Sequence, residues 1–255
     1  MSFEGKVILI TGASSGIGAA TAEYLAKQDA SLVLIGRNDE KLQKVVDSCL
    51  KSTNNVLKII ADVCIEADAN RIIQGTISKF SKLNVLINSA GIIQSGSIET
   101  TTIEQYDRIF DVNVRALFRI TQLCIPHLIA TKGNIVNLSS VCGIRSFPNV
   151  LAYNMSKSAV DQFTNCVALE LAEKGVRCNS VCPGVIKTEL HKRGGMDDEA
   201  YERFLEHCKK THALGRAGNV DEVAAAIAFL ASDAASFITA VQLPVDGGRH
   251  AMCPR

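Results

Sequence analysis

The feature that most constrains the fold is an alternation of two kinds of segment along the chain. Short runs rich in Val, Ile and Leu recur at Lys6 to Ile10, Ser31 to Ile35, Val56 to Ala61, Leu83 to Ile87, Asn134 to Leu138, Arg177 to Val181 and Ala240 to Pro244. Between them lie amphipathic stretches of helical length: Gly16 to Lys27, Asn38 to Lys51, Ile65 to Phe80, Ile103 to Ile129, Ala152 to Glu173 and Val220 to Ala231. A strand apolar at nearly every position has no solvent face, so its sheet must be covered on both sides, and a helix after each strand returns the chain to pair in parallel. The expected architecture is doubly wound, α/β/α in three layers around a central parallel sheet of about seven strands.

The 255 residues carry no internal repeat and no Pro/Gly/Ser-rich linker, so the reading is one Rossmann-type domain over 1–255. The compositional exception is Leu190 to His212, a polar excursion with Lys192, Arg193, Gly194, Gly195, Asp197, Asp198 and Glu199, read as a helical substrate lid at about 189–213. The net charge of +1, with both signs interspersed, gives no broad reason for a nucleic-acid or membrane partner, and a small molecule is the expected ligand. The apolar run Val7 to Ile10 is too short for a signal segment or a spanning helix, and the expected location is cytoplasmic. Nine scattered cysteines without a C-x-x-C pair read as free thiols in a reducing compartment. Cys178 and Cys182 are read as flanking a strand rather than holding a metal, and no metal site is expected.

Gly12, Ala13, Ser14, Ser15, Gly16, Ile17 and Gly18 follow the first strand and open the first helix, the position at which backbone N–H groups and the helix dipole receive a pyrophosphate. The spacing is G-x-x-x-G-x-G rather than G-x-G-x-x-G. At the end of the second strand, where a carboxylate would bind the adenosine ribose of NAD, the chain has Arg37, whose guanidinium suits a 2′-phosphate. NADP(H) is therefore preferred, with NAD(H) possible because Asp39 follows closely. Asp62 and Val63 end the third strand and Asn88, Ser89, Ala90 and Gly91 the fourth, where ligands of open α/β sheets bind. Asp62 is placed to meet the adenine amino group, or equally to cap the helix beginning near Ile65.

Tyr153 and Lys157 form an i, i+4 pair near the start of a long helix, so both project from one face, and an ammonium there favours the phenolate of a tyrosine. Ser140 closes the fifth strand. Ser139 adjoins it, and successive residues point oppositely, so one of the two faces the site. Asn113 is a polar residue in mid-helix, able to disturb the backbone ladder and hold a water.

Together with Pro183-Gly184, these segments resemble the short-chain dehydrogenase/reductase family, in its single-domain branch, over essentially the whole chain. The resemblance implies a tetrad of Asn113, Ser140, Tyr153 and Lys157. In it Ser140 bonds the substrate oxygen, Tyr153 exchanges its proton, Lys157 lowers the tyrosine pKa and holds the nicotinamide ribose, and Asn113 anchors a relay water. It also implies that Pro183, Gly184, Val185, Ile186 and Thr188 meet the nicotinamide carboxamide and diphosphate, and that Val245 to Gly248 packs at the contacts of a homotetramer. Ser89 departs from the asparagine more common in the family, and a weaker turn hydrogen bond is expected there.

The activity implied is hydride exchange between NADP(H) and a carbonyl or secondary alcohol. The alternatives are an NAD-linked alcohol dehydrogenase and a cofactor-binding sensor without catalysis, a case that normally lacks the tyrosine or lysine retained here. Gln94, Ser95, Val141, Cys142, Phe147 and the excursion are read as pocket lining, Cys142 as a wall residue rather than a nucleophile. An apolar-to-mixed lining of this kind suits a steroid, an isoprenoid, an acyl thioester or a small ketone.

Overall fold

In a computed structural model, which describes residues 1–253, seven strands form one all-parallel sheet in the order β3-β2-β1-β4-β5-β6-β7. They are β1 (Val7–Thr11), β2 (Ser31–Gly36), β3 (Val56–Ile60), β4 (Val85–Asn88), β5 (Asn134–Leu138), β6 (Arg177–Pro183) and β7 (Gln242–Val245). Every residue of β1, β2 and β4 is buried, as a sheet covered on both faces requires, whereas the edge strands β3 and β7 are mostly half-buried. Alternate side chains feed two cores. Ile8, Ile10, Leu32 and Leu34 pack on one face with Leu25 and Ile227, and Leu9, Val33, Ile35 and Leu86 on the other with Ile72 and Leu128.

The first core lies under helices α1 (Gly16–Ala26), α2 (Asp39–Cys49) and α10 (Val220–Ala231), the second under α3 (Glu66–Phe80), α5 (Ala116–Thr131) and α7 (Leu151–Leu171), and the short α6 (Val141–Ile144) precedes α7. The stretch Ile103 to Ile129, expected as one helix, is α4 (Ile103–Phe110) joined to α5 by a π-helical turn, Asp111–Arg115, that contains Asn113. Two further corrections have local causes. The last strand starts at Gln242 rather than Ala240 because Ala240 sits at φ 59, a left-handed conformation that no strand continues. Cys178 and Cys182 lie inside β6 and are buried, not flanking a strand, and among the described residues no His/Cys/Asp/Glu cluster could hold a metal. No helix among the described residues is long and apolar enough to cross a membrane.

The middle of the sheet carries a polar ladder. Asn88 on β4 and Asn137 on β5 are register partners. Asn88 Nδ2 donates to Asn137 Oδ1 (2.9 Å) and Thr121 Oγ1 (3.0 Å), and Asn137 Nδ2 donates to Thr164 Oγ1 (2.9 Å). All four residues are buried, and every amide hydrogen bond here is made inside the protein.

Candidate active site

The strands run in parallel, so their C-terminal ends share one edge of the sheet, and the order reverses between β1 and β4, which opens a crevice there. A groove of about 180 Å³ occupies it. Its lining includes Gly12, Ser14, Ser15, Gly16, Ile17, Gly18, Arg37, Asp62, Val63, Ala90, Gly91 and Thr188, which brings together the segments singled out from the sequence. Asn88 is not among them. It lies beneath the groove with its side chain committed to the polar ladder, so it supports the floor and lines no part of it.

The glycine loop fits a bound pyrophosphate. Gly12 has φ +67, and a Cβ there would sit 2.8 Å from the backbone N and Cα of Ala90, so two chain segments meet with no room for a side chain. Ser15 occupies the N-cap of α1 yet makes no capping bond with its side chain, leaving the first-turn N–H groups without a side-chain partner. Thr11 Oγ1 accepts from the N–H groups of Ser89 (3.0 Å) and Ala90 (3.2 Å), and so holds the turn at which the family asparagine is replaced.

Arg37 NH1 meets Asp62 Oδ2 at 3.3 Å in the groove lining just beyond the ends of β2 and β3. Asp62 is not a helix cap. Ile65 occupies the N-cap of α3, while Asp62 Oδ1 accepts from Cys64 N (3.0 Å) and the Asp62 N–H donates to Asp68 (2.8 Å).

A second cavity of about 450 Å³ adjoins the groove and shares Ile17, Ser89, Gly91 and Thr188 with it. Ser140, Tyr153, Lys157, Pro183, Gly184, Val185 and Ile186 line it. Ser95, Val141, Cys142 and Phe147 do so as expected, but Gln94 does not. Ser140 accepts from Cys142 N (3.1 Å) and faces the phenol of Tyr153, whereas Ser139 points to the carbonyl of Lys157 (3.3 Å), as opposite orientations at a strand end require.

Lys157 Nζ lies 5.6 Å from the centre of the Tyr153 ring and donates to Leu138 O at 2.7 Å. Asn113 is buried in the π-helical turn. Its amide brackets Ile92, accepting from N at 2.9 Å and donating to O at 3.0 Å, and donates to Ser156 Oγ at 3.0 Å. Its Oδ1 and Lys157 Nζ both border Gly91, where a Cβ would lie 3.4 and 3.7 Å from them.

The electrostatics differ from the simple expectation of a phenolate held by an ammonium. Burial pushes the Tyr153 phenol well above its ordinary value, with the Ser140 hydrogen bond acting the other way. Burial likewise draws the Lys157 ammonium down to about 8, against the opposing pull of Asp161 one turn along the helix. Desolvation outweighs pairing at both groups, and Tyr153 is held as a protonated phenol.

A stability prediction comes from the lysine. Its folded pKa lies below its ordinary value of 10.5, so between the two the unfolded chain binds a proton that the folded chain lacks, and stability rises with pH. The slope approaches about 1.4 kcal/mol per pH unit once the folded lysine has lost its proton, so wild type should gain roughly 1.5 kcal/mol over Lys157→Met between pH 8 and 9.5. Urea denaturation of both proteins at the two pH values checks this, and a constant difference would contradict a depressed lysine.

Several side chains around the site were not singled out from the sequence. The excursion after Thr188 forms α8 (Leu190–Arg193) and α9 (Asp198–Thr211). Tyr201 on α9 bonds Thr188 through both backbone groups, its hydroxyl accepting from N (3.2 Å) and donating to O (3.1 Å). Arg193 NH1 donates to Ser15 Oγ at 3.1 Å, across the glycine loop. Buried His212 accepts from Val185 N at 3.2 Å, and beneath Lys157 the buried Asp161 accepts from Ser180 Oγ at 3.2 Å. These positions carry no local motif. Only the path of the excursion and the packing of α7 on β6 bring them to the site.

Comparison with known proteins agrees with this geometry. A family model described as enoyl-(acyl carrier protein) reductase matches residues 12–250. The chain is 37% identical over 251 residues to meso-2,3-butanediol dehydrogenase of Serratia marcescens, covering 98% of this chain and 97% of that protein. It is 39% identical over 248 residues to cyclohexanol dehydrogenase of an Acinetobacter species, covering 96% and 95%. Among solved structures, a short-chain dehydrogenase/reductase from Caenorhabditis elegans with cofactor superposes with a TM-score of 0.93 at 35% identity, covering 98% and 97% of the two chains. Levodione reductase superposes with 0.92 at 32% identity, covering 98% and 100%. Fold, family model and relatives agree that the chain belongs to the short-chain dehydrogenase/reductase family of oxidoreductases.

Proposed function

We propose that the protein is an NADP(H)-dependent carbonyl reductase or alcohol dehydrogenase in which Tyr153 moves the proton. The observation that carries this reading is the convergence of Ser140, Tyr153 and Lys157 on the wall of the cavity next to the glycine-loop groove. The dinucleotide is held by Gly12 to Gly18, Asp62, Val63, Ala90 and Gly91 at one end and by Pro183 to Thr188 at the other. When bound, its nicotinamide gives a hydride to the carbonyl carbon or takes one from the alcohol carbon.

The residues of the chain handle the oxygen. Ser140 donates a hydrogen bond to the carbonyl oxygen, which fixes its position and stabilises the negative charge that grows there. Tyr153 donates its proton to the same oxygen, so that carbonyl, hydride and proton become one alcohol. A phenol kept protonated by burial suits the reducing direction. Lys157 holds the nicotinamide ribose and restores the tyrosine proton, and Asn113 steadies the π-helical turn on the route from Lys157 to solvent. The 189–213 excursion acts as the lid, with Tyr201 and Arg193 tying it to the cofactor site.

The homotetramer follows from family resemblance. The nine unpaired cysteines suit a reducing, cytoplasmic setting.

The nucleotide preference rests on Arg37, whose guanidinium is largely exposed at the adenosine end and free to swing from Asp62 to a 2′-phosphate. The Asp62 partner also supports a second reading, since it offsets part of that charge and admits NAD(H). The test uses the fluorescence of NADPH and NADH against a chain without tryptophan, followed by turnover of ketones and aldehydes with the tighter binder. Arg37→Asp should reverse the preference, weakening NADPH at least about tenfold relative to NADH, the scale of one lost charge-assisted pair. An unchanged ratio would place the reader of the phosphate elsewhere, and absence of binding to either nucleotide would overturn the assignment.

A further inference from the structure

The wall of the 450 Å³ cavity is charged in one sense only. Lys157 and Arg249 line it, His191 beside them is held toward its neutral form by burial, and among the described residues no aspartate or glutamate lines it. Lys157 has a place in the proposed chemistry, but Arg249 has none.

Arg249 is held in position without being neutralised. Its guanidinium stacks on the Phe147 ring, 4.4 Å from the centre, a geometry that fixes its plane and leaves its N–H edge unused. Its Nε is buried without a hydrogen-bond partner, and among the described residues no carboxylate pairs with it. The nearest carboxylate along the chain, Asp246, is committed elsewhere, accepting from Gly248 N (3.0 Å) and His250 N (2.6 Å) and pairing with His250 Nδ1 (2.9 Å).

The platform is anchored on both sides. Arg145 donates to the carbonyl of His250, next to Arg249, and Asn154 donates to Phe147 O at 2.8 Å. Asn154 directly follows Tyr153, so the stacked pair lies close to the proposed proton donor. Desolvating a guanidinium without a partner is costly, and a planar anion bonded at its free edge would offset that cost.

We propose that the substrate is an oxo acid or hydroxy acid whose carboxylate sits on Arg249 while its carbonyl or alcohol oxygen meets Ser140 and Tyr153. This deepens the proposed function and rests on it for the reaction, but not for the anion site itself.

Two measurements test it. Calorimetric titration with hexanoate and with hexanamide reads the anion site without turnover, and hexanoate should bind at least about tenfold tighter, as a charge-assisted bond exceeds a neutral one. Turnover of 3-oxobutanoate, 4-oxopentanoate and 5-oxohexanoate against their methyl esters reads it in catalysis. At least one acid should exceed its ester in kcat/KM by about tenfold, and Arg249→Gln should remove that preference while Arg249→Lys keeps part of it. Hexanoate binding no tighter than hexanamide, or an acid preference that survives Arg249→Gln, would overturn the proposal. Wild-type comparisons need no variant to fold. Failure of nucleotide binding would remove the proposed reaction, whereas equal handling of acid and amide by a protein that binds NADPH would remove only the anion site.

Discussion

Replacing Tyr153 by phenylalanine is expected to lower kcat by about two to four orders of magnitude, the range a positioned general acid contributes, with NADPH affinity changing by less than about threefold, well below the worth of a single charge-assisted bond. The substitution removes one oxygen and leaves the ring, so the packing of a residue that is 7% exposed is kept. Ser140 would still orient the carbonyl and the hydride would still be in reach, but the oxygen would have to draw its proton from water. Steady-state turnover with a ketone, alongside fluorescence titration with NADPH, checks both halves. Retention of more than about a tenth of the activity would exclude Tyr153 as the donor, because a general acid of even modest contribution is worth more than that.

The second large effect is expected at Gly12, where Gly12→Ala should cost roughly 2–5 kcal/mol, combining about 1–2 for a left-handed backbone with a side chain and about 1–3 for forced overpacking. The new Cβ would meet backbone of Ala90 at 2.8 Å and Ser89 O at 2.9 Å, and backbone has no rotamer through which to yield. The loop would have to move from Ala90, and NADPH binding should weaken at least about tenfold for the loss of one aligned donor to phosphate. Gly16→Ala is the informative control. It shares a positive φ, but its Cβ would meet only the Thr188 side chain at 3.4 Å, so only the backbone cost of about 1–2 kcal/mol applies. Urea melts of the two variants should rank Gly12→Ala clearly below Gly16→Ala, and equal losses would show that the contact with Ala90 is compliant.

Much of the site was legible because it is written locally. The glycine loop must follow a strand and open a helix, Tyr153 and Lys157 must share a helix face, and Ser140 must follow a strand. Each of those conditions involves neighbours in sequence. The central strands β1, β2 and β4 were legible for a similar reason, since burial on both faces leaves a nearly unbroken apolar run.

What escaped depends on distant parts meeting. Nothing near Arg249 in sequence announces Phe147 beneath it, and nothing near Tyr201 announces the Thr188 backbone. The π-helical turn around Asn113 escaped because helical segments continue on both sides of it and a single wide turn has no residue signature of its own. Asp62 was ambiguous because an aspartate before a helix looks alike whether it caps that helix or serves the turn ahead of it, and here it serves the turn. The ionisation states escaped for another reason. The i, i+4 pair announced attraction between the amine and the phenol, but desolvation depends on everything packed around them.

The amide ladder at the centre of the sheet has a consequence for how the chain finds its alignment. A slip of one residue between β4 and β5 would turn their side chains to the wrong faces, and burial alone opposes it. A slip of two keeps every apolar side chain on its own face, so hydrophobicity barely distinguishes it from the native pairing. It would, however, part Asn88 from Asn137, leaving buried amides unpaired at about 1–3 kcal/mol each. It would also carry the end of β5 about 7 Å along the sheet, at about 3.3 Å per residue. Ser140 stands just beyond that end and Tyr153 on α7, which Asn137 also holds through Thr164, so two asparagines far from the substrate act as the vernier that sets one proposed catalytic hydroxyl opposite the other.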